Sequence, residues 1–261
     1  MTSEPLILAV ETSSRVGSVA LAQGPRLLAE SEFSAPMQHS AEIFPAIDRL
    51  LQRHARTARE IEQVHLSSGP GSFTGLRIAV TLAKSMHLAH RTRIVTVDSL
   101  DVVMANLSDT RAEPQVTVPG TVAALFDAKR GQFYTAVYSL LAAGQDGVAA
   151  PGDGEPGYQI PGPYGGAWHK VLADCLITAP EIVARFATAG PIGVLGDGLL
   201  YHREEFRVDS VVTLPERYWS PHAANVHRLG YQKALAGRFD DPLTLTPFYL
   251  RGPHVTLKQT P

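Results

Sequence analysis

At 261 residues, 44% of them hydrophobic, the chain can bury a substantial core and is long enough for one large domain or two small ones. A net charge of −2 and a pI near 6.5 argue against a surface built mainly for tight polyanion binding, although a local basic patch would not register in the total. The single cysteine, Cys175, rules out an internal disulfide and reads as a small core residue. MTSEPLILAV carries an acid where a signal peptide would carry lysines, and no apolar run is long enough for a bilayer. A cytoplasmic protein with no membrane contact is therefore expected.

Along the first hundred residues, Leu6 to Val10, Gly17 to Ala22 and Leu27 to Phe33 follow one another at hairpin spacing and predict three antiparallel strands. His39 to His54 carries Ile43, Phe44, Ile47, Leu50 and Leu51 on one helical face. Pro45 interrupts it, so either the regular helix begins close to Pro45 or a kink is tolerated in the first turns. A strand at Ile61 to Leu66 leads into SSGPGSFTGLR, Ser67 to Arg77, where Gly69, Gly71 and Gly75 let a strand end, a tight loop and a helix start share a few residues. This is not a Walker-type loop, because Leu76 and Arg77 follow Gly75 where that signature has Lys and Ser/Thr. A structural turn and a phosphate cradle both remain open. The helix that follows, Thr74 to about Ala89, is apolar around most of its circumference, so it is either wedged inside the fold or offered in part to another protein.

The polar stretch Asn106 to Pro119 marks a boundary between lobes at 1–106 and 107–261. Thr121 to Phe126, the turn Asp127-Ala128-Lys129-Arg130-Gly131 and Gln132 to Leu140 predict a hairpin. Between Gly144 and Gly166, twelve of twenty-three residues are Gly or Pro, too many for a helix or central strand, which predicts a long mobile insertion. A strand at Lys170 to Ile177, a helix capped near Thr178, a strand at Ile192 to Leu195, the turn Gly196-Asp197-Gly198 and a helix from Pro221 to about Leu235 follow. The tail from Leu243 reads as an extended strap. Both halves open with a strand and hairpin followed by helix and strand, so two related α/β halves are expected.

Ten histidines invite a metal reading, yet no His-x-x-x-His or His-Glu-x-x-His spacing falls on a helix. His87 and His90 lie three apart at a helix end, where the helix dipole accounts for them more simply. No Gly-x-Ser-x-Gly elbow is present, and nothing designates a base for Ser68 or Ser72. Glu11 and Asp127, each just past an apolar strand at the head of a half, face either a metal-phosphate cleft or water.

Val10-Glu11-Thr12-Ser13, His39-Ser40-Ala41-Glu42, Gly69 to Arg77, Asp127-Ala128-Lys129-Arg130-Gly131 and Gly196-Asp197-Gly198 occur in an order that resembles the bacterial TsaB family, also called YeaZ-like. The resemblance implies a two-lobed α/β fold of the actin, Hsp70 and sugar-kinase type (ribonuclease H-like). It implies a non-catalytic scaffold or activator that works with the catalytic paralogue TsaD and the ATPase TsaE to make threonylcarbamoyladenosine beside the tRNA anticodon. The tRNA would be met through the complex. No cofactor of its own is expected, and ATP only at or near the partner junction. Catalytic relatives hold a metal with a His-x-x-x-His pair where this chain has Ser99 and Val103, and valine cannot ligate a metal.

The same resemblance places the partner interface on the first two helices, through His39, Phe44, Ile47, Leu51, Arg77, Ala79, Val80, Ala83 and His87. A homodimer through those helices is the expectation when the partner is absent. A nucleotide cleft would involve Glu11, Thr12, Asp127, Gly196 and Asp197. The alternative function is an enzyme of the same fold, a glycopeptidase-like hydrolase or a small-molecule kinase.

Overall fold

The structure is a computed structural model that describes residues 4–33, 39–112, 116–142 and 157–251. The first sheet is built from β1 (Leu6–Glu11), β2 (Gly17–Gln23), β3 (Arg26–Phe33), β4 (Ile61–Ser67) and β5 (Arg93–Val97), in the spatial order β3-β2-β1-β4-β5. The hairpin strands β1, β2 and β3 pair antiparallel, while β1 with β4 and β4 with β5 are parallel. The second sheet contains β6 (Thr121–Asp127), β7 (Phe133–Leu141), β8 (Ile160–Pro161), β9 (Ala167–Ile177), β10 (Ile192–Leu195) and β11 (Val211–Thr213), in the order β11-β10-β6-β7-β9-β8. Without the two-residue β8, this is the first order again: a three-strand antiparallel meander with two parallel strands added beside its first member. The duplicated halves read from the sequence are present.

The helices are α1 (His39–Arg53), α2 (Phe73–His90), α3 (Ser99–Met104), α4 (Ala179–Phe186), α5 (Leu199–His202) and α6 (Ala223–Leu235). α1 starts well before Pro45. Pro45 and Ala41 are both exposed, so the carbonyl that loses its helical partner can be hydrated. α4 is capped as expected: the Thr178 N–H and hydroxyl donate to Glu181 at 2.9 and 2.6 Å.

Alternation along β1 explains the layering. Leu6, Leu8 and Val10 join a core with α1 and α2, whereas Ala9, with Ala20 of β2, faces a second core that includes α3 and α6. Small side chains on that face let α6 lie close against the first sheet. The last helix of each half thus crosses over: α6 packs on the first sheet, and α3 on β6 of the second. The boundary expected between 106 and 107 falls within a helical segment, since α3 continues as a 3-10 turn over Ala105–Ala112.

Of the insertion expected at 144–166, residues up to 156 lie outside the described ones. From 157 the chain supplies Tyr158 to the second core, then β8 and a 3-10 turn at Pro163–Gly165. Cys175, expected in the core, is half-buried at its edge. After α6, Asp240 caps the outer strand β5: its N–H donates to the Ile94 carbonyl at 2.9 Å, and its carboxylate accepts from the Thr96 N–H at 2.7 Å. No helix among the described residues is long and apolar enough to cross a membrane.

His65, on the β4 face turned toward α6, is fully buried. Its Nε2 shares a hydrogen bond with Gln63 Oε1 at 3.0 Å, and its ring lies parallel to His227 with centroids 6.2 Å apart. Gly230 makes the room, since a Cβ there would stand 2.7 Å from His65 Nδ1. Burial, with the repulsion of His227 second, holds the imidazole down to about 3. The folded chain therefore refuses a proton that the unfolded chain accepts near pH 6.5. Stability tied to the neutral ring is complete above about pH 6.5 and is lost as pH falls toward about 3, at roughly 1.4 kcal/mol per pH unit. Unfolding by denaturant should become easier from about pH 6.5 to about pH 5, and His65→Gln should flatten that slope. An equally steep slope in the variant would refute the assignment.

Candidate functional site

The turn between β4 and α2 lies directly on the turn between β1 and β2. The Ser72 N–H donates to the Ser13 carbonyl at 2.7 Å, and Thr12 Oγ1 donates to the Gly75 carbonyl at 2.8 Å. A Cβ on Gly75 would run into the Thr12 carbonyl oxygen, one on Gly71 into that of Ser13, and one on Gly69 (φ +124°) into that of Phe248. Three of the turn's N–H groups are engaged already. That of Gly69 donates to Ser99 Oγ at 3.1 Å, that of Gly75 to Ser72 Oγ at 3.3 Å, and that of Ser72 to Ser13. Close approach to the carbonyls of Thr12, Ser13 and Phe248 accounts for the three glycines of this turn.

Glu11 belongs to the same contact and does not face an open cleft. It is fully buried; Oε1 accepts from the Ser13 N–H at 2.6 Å and from Ser13 Oγ at 2.5 Å, and Oε2 accepts from Ser67 Oγ. Burial raises its pKa, with Asp197 adding to the rise against the lowering effect of those hydrogen bonds. Thr12 is buried as well, and so is Gly196 (φ +121°). Asp197 accepts from Ser14 Oγ at 2.8 Å and is raised chiefly by burial. Asp127 accepts from the Lys129 N–H at 2.7 Å and pairs with Lys129 Nζ at 2.6 Å, with His202 Nε2 at 3.8 Å. The expected cleft residues do converge on the junction of the halves, but Glu11 and Thr12 are closed off by their neighbours. They do not fit the phosphates of a nucleotide held within this chain alone.

Ser99 and Val103, at the positions where the sequence lacks imidazoles, are both buried on α3. Among the described residues no His, Cys, Asp and Glu cluster is arranged to hold a metal ion. Beside them is a network the sequence reading missed. Lys170 Nζ lies 3.2 Å from Asp98, 3.0 Å from Asp101 and 2.8 Å from Asp174; Tyr138 and Tyr158 donate to Asp101 at 2.7 and 2.8 Å. Asp98 also caps α3 through the N–H groups of Leu100 and Asp101. Burial alone would lower Lys170, but Asp101 and Asp98 hold it well above its ordinary value. Asp174 is raised well above its ordinary value, by burial first and then by Asp98. The available signal was Lys170 and Asp174, four apart on one face of an otherwise apolar strand. Lys170→Met should cost about 3–5 kcal/mol near neutral pH, by leaving buried carboxylates without their cation. Their folded-state pKa values would then exceed the unfolded ones, so the deficit relative to wild type should shrink as pH falls toward about 4. A deficit that is constant with pH in paired denaturant titrations would count against this account.

The helix face expected to meet a partner needs correction. Ile47, Leu51, Ala79, Val80 and Ala83 are buried in the core against the first sheet, because α2 is covered by the sheet on one side and by α1 on another. His39 begins α1. His87 Nδ1 donates to the Thr92 carbonyl at 2.9 Å and closes the helix end. What remains outside is a groove of about 430 Å³ lined by Phe44, Phe73, Arg77, Ile78, Thr81 and Ser85, with Phe44 60% exposed. Arg77 lies 3.8 Å over the Phe73 ring, and its Nε donates to the Tyr249 hydroxyl at 3.2 Å.

Two halves of identical strand order meeting at a junction define a two-lobed α/β protein of the actin-like class. A family model described as TsaD, tRNA N6-adenosine threonylcarbamoyltransferase, matches residues 33–163, half of the chain. The tRNA threonylcarbamoyladenosine biosynthesis protein TsaB of Bacillus subtilis is 33% identical over 132 residues, 51% of this chain and 54% of that protein. Its Escherichia coli counterpart is 28% identical over 132 residues, 51% and 54% respectively. The chain thus spans about half the length of the curated relatives it matches. The solved structure of YeaZ from Pseudomonas aeruginosa aligns over 94% of this chain and all of that one, with a TM-score of 0.70 at 22% identity. A second structure from that organism, with similarity to peptidase YEAZ, gives 95%, all, 0.70 and 20%. The chain belongs to the TsaD family and is a TsaB/YeaZ-type member of it.

Proposed function

We propose that this chain is a non-catalytic cytoplasmic subunit in the biosynthesis of threonylcarbamoyladenosine beside the tRNA anticodon. It acts as a heterodimer with a TsaD-type catalytic paralogue, joined by a TsaE-type ATPase, and meets the tRNA through that assembly. One observation carries the reading. The junction where an actin-like ATPase would hold phosphates is filled by the chain's own Thr12, Ser13 and Glu11 contacts, while the groove between Phe44 and Arg77 is open and apolar. A surface of that kind supports association, and a filled junction does not support nucleotide chemistry. Any ATP then belongs at the boundary with the paralogue. Without the paralogue, the same groove is free to pair with a second copy.

The test is reconstitution. The chain alone should neither bind ATP in a calorimetric titration nor modify tRNA, and the paralogue should gain transferase activity only when the chain is added. Thr81→Arg, an exposed change in the groove, should weaken the heterodimer at least tenfold without lowering the melting temperature of the free chain. A paralogue fully active by itself, or tight ATP binding by the isolated chain, would overturn the proposal, the latter in favour of the kinase alternative.

A further inference from the structure

At the mouth of the lobe junction, Tyr201 on α5 is 59% exposed, and cations from both halves lie against it. Arg15, in the β1–β2 turn, donates to the Tyr201 hydroxyl at 2.7 Å, with its Cζ 5.7 Å from the ring centroid; Lys129, in the β6–β7 turn, holds its Nζ 5.6 Å from the same centroid. Arg130 follows Lys129 on the surface. These two have φ of 65° and 61°, a region non-glycine residues seldom occupy, and Gly131 continues it at 70°. The turn is held there from within by the Lys129 N–H on Asp127 and by the Ala128 N–H on the Gln132 carbonyl at 3.0 Å. Outside it, Arg251 donates to the Ala128 carbonyl at 2.7 Å and to the Gln132 side chain.

Two cations, one from each half, therefore lie over one exposed aromatic ring, and Arg130 extends the same turn at the surface. Among the neighbouring acids, Asp197 is engaged with Ser14, Glu205 with His202 at 2.7 Å and Glu204 with Arg207 at 2.7 Å, while Asp127 pairs with Lys129, so Lys129 is the cation that already has its counter-charge. Cations held beside a largely exposed aromatic side chain match a ligand that carries regularly spaced anions and flat bases. An acidic peptide would satisfy the cations and leave the ring unused.

We propose that Arg15, Lys129, Arg130 and Tyr201 form a contact for single-stranded RNA, with an unpaired base stacked on Tyr201 and the flanking phosphates met by Arg15 and Arg130. The proposal rests on the reading of the chain as part of a tRNA-modifying assembly, and gives this subunit a direct hold on the nucleic acid. Because Arg15 belongs to one lobe and Tyr201 to the other, the contact exists only while the lobes keep their present junction.

The probe is a fluorescently labelled anticodon stem-loop RNA, titrated by anisotropy against the full chain alone and against its complex with the paralogue and the ATPase. Tyr201→Ala should weaken binding roughly tenfold, and Tyr201→Phe should stay within about twofold of wild type. The double variant Arg15→Gln/Arg130→Gln should reduce the slope of log affinity against log salt by roughly one to two. Melting temperatures near wild type confirm that these exposed changes leave the fold intact. Unchanged RNA affinity in Tyr201→Ala and in the double variant overturns the proposal, as would weakened binding of the ATPase with RNA affinity unaltered, which assigns the patch to a protein. A chain that binds the RNA through these residues but never engages the paralogue would instead overturn the proposed function and leave the RNA contact standing.

Discussion

The contact on which the rest of this structure depends is the one between two backbone turns, Glu11 to Ser14 and Gly69 to Gly75. Carbonyls of Thr12 and Ser13 press against positions where any Cβ would collide, and Ser72 and Thr12 bind across the seam. At Gly75, inside the first turn of α2, glycine is a demand of close approach alone, whereas Gly69 and Gly71 also take φ of +124° and +156°. The contact fixes how α2 leaves the sheet, keeps Glu11 among serine hydroxyls, and brings the ends of β1 and β4 together as a closed floor. That floor is packed shut at Glu11 and Thr12, both fully buried.

Buried polarity is handled in two ways. Under α6, His65 and His227 are kept neutral, and the cost appears only when protons become plentiful. Around Lys170, the ammonium is kept charged by three carboxyl groups, and two tyrosine hydroxyls complete the shell. The first arrangement lies where the crossing helix of the second half covers the first sheet. The second ties the crossing helix of the first half to β7 and β9. Both polar clusters thus sit at the crossovers, where an apolar contact alone would leave the angle between the halves poorly specified.

The sequence made the scaffold legible because strands such as Leu6 to Val10 and Ile192 to Leu195 are bounded by strong turn residues, and because Thr178 announces a helix with a capping box. It did not reveal α3, whose six residues are too few for a period to register, nor α5 and β11, for the same reason. The misassigned helix face has a different cause. A helix apolar all round does not say which side the sheet will take, so Ala79 and Ala83 were as good as Thr81 and Ser85 until the packing of α1 was known. Glu11 was recognisable as special by its place at a strand end. Its engagement by Ser13 and Ser67 required a contact 56 residues away along the chain, beyond any local pattern. The exposed ring of Tyr201 was missed altogether, because its cations come from turns more than 70 positions distant.

The strap after α6 reaches from α2 in the first half to the β6–β7 turn in the second. Phe248 binds the backbone of Ser68, Tyr249 rests on Phe73 with ring centroids 4.8 Å apart and accepts from Arg77, and Arg251 grips the β6–β7 turn. Three residues within a stretch of four, Phe248, Tyr249 and Arg251, thus touch the glycine seam, the groove and the β6–β7 turn in succession. Occupancy of the groove and the posture of the Lys129–Arg130 turn are connected by a tether too short to absorb slack, so a partner seated on one helix face would be felt at the opposite rim as tension in the chain.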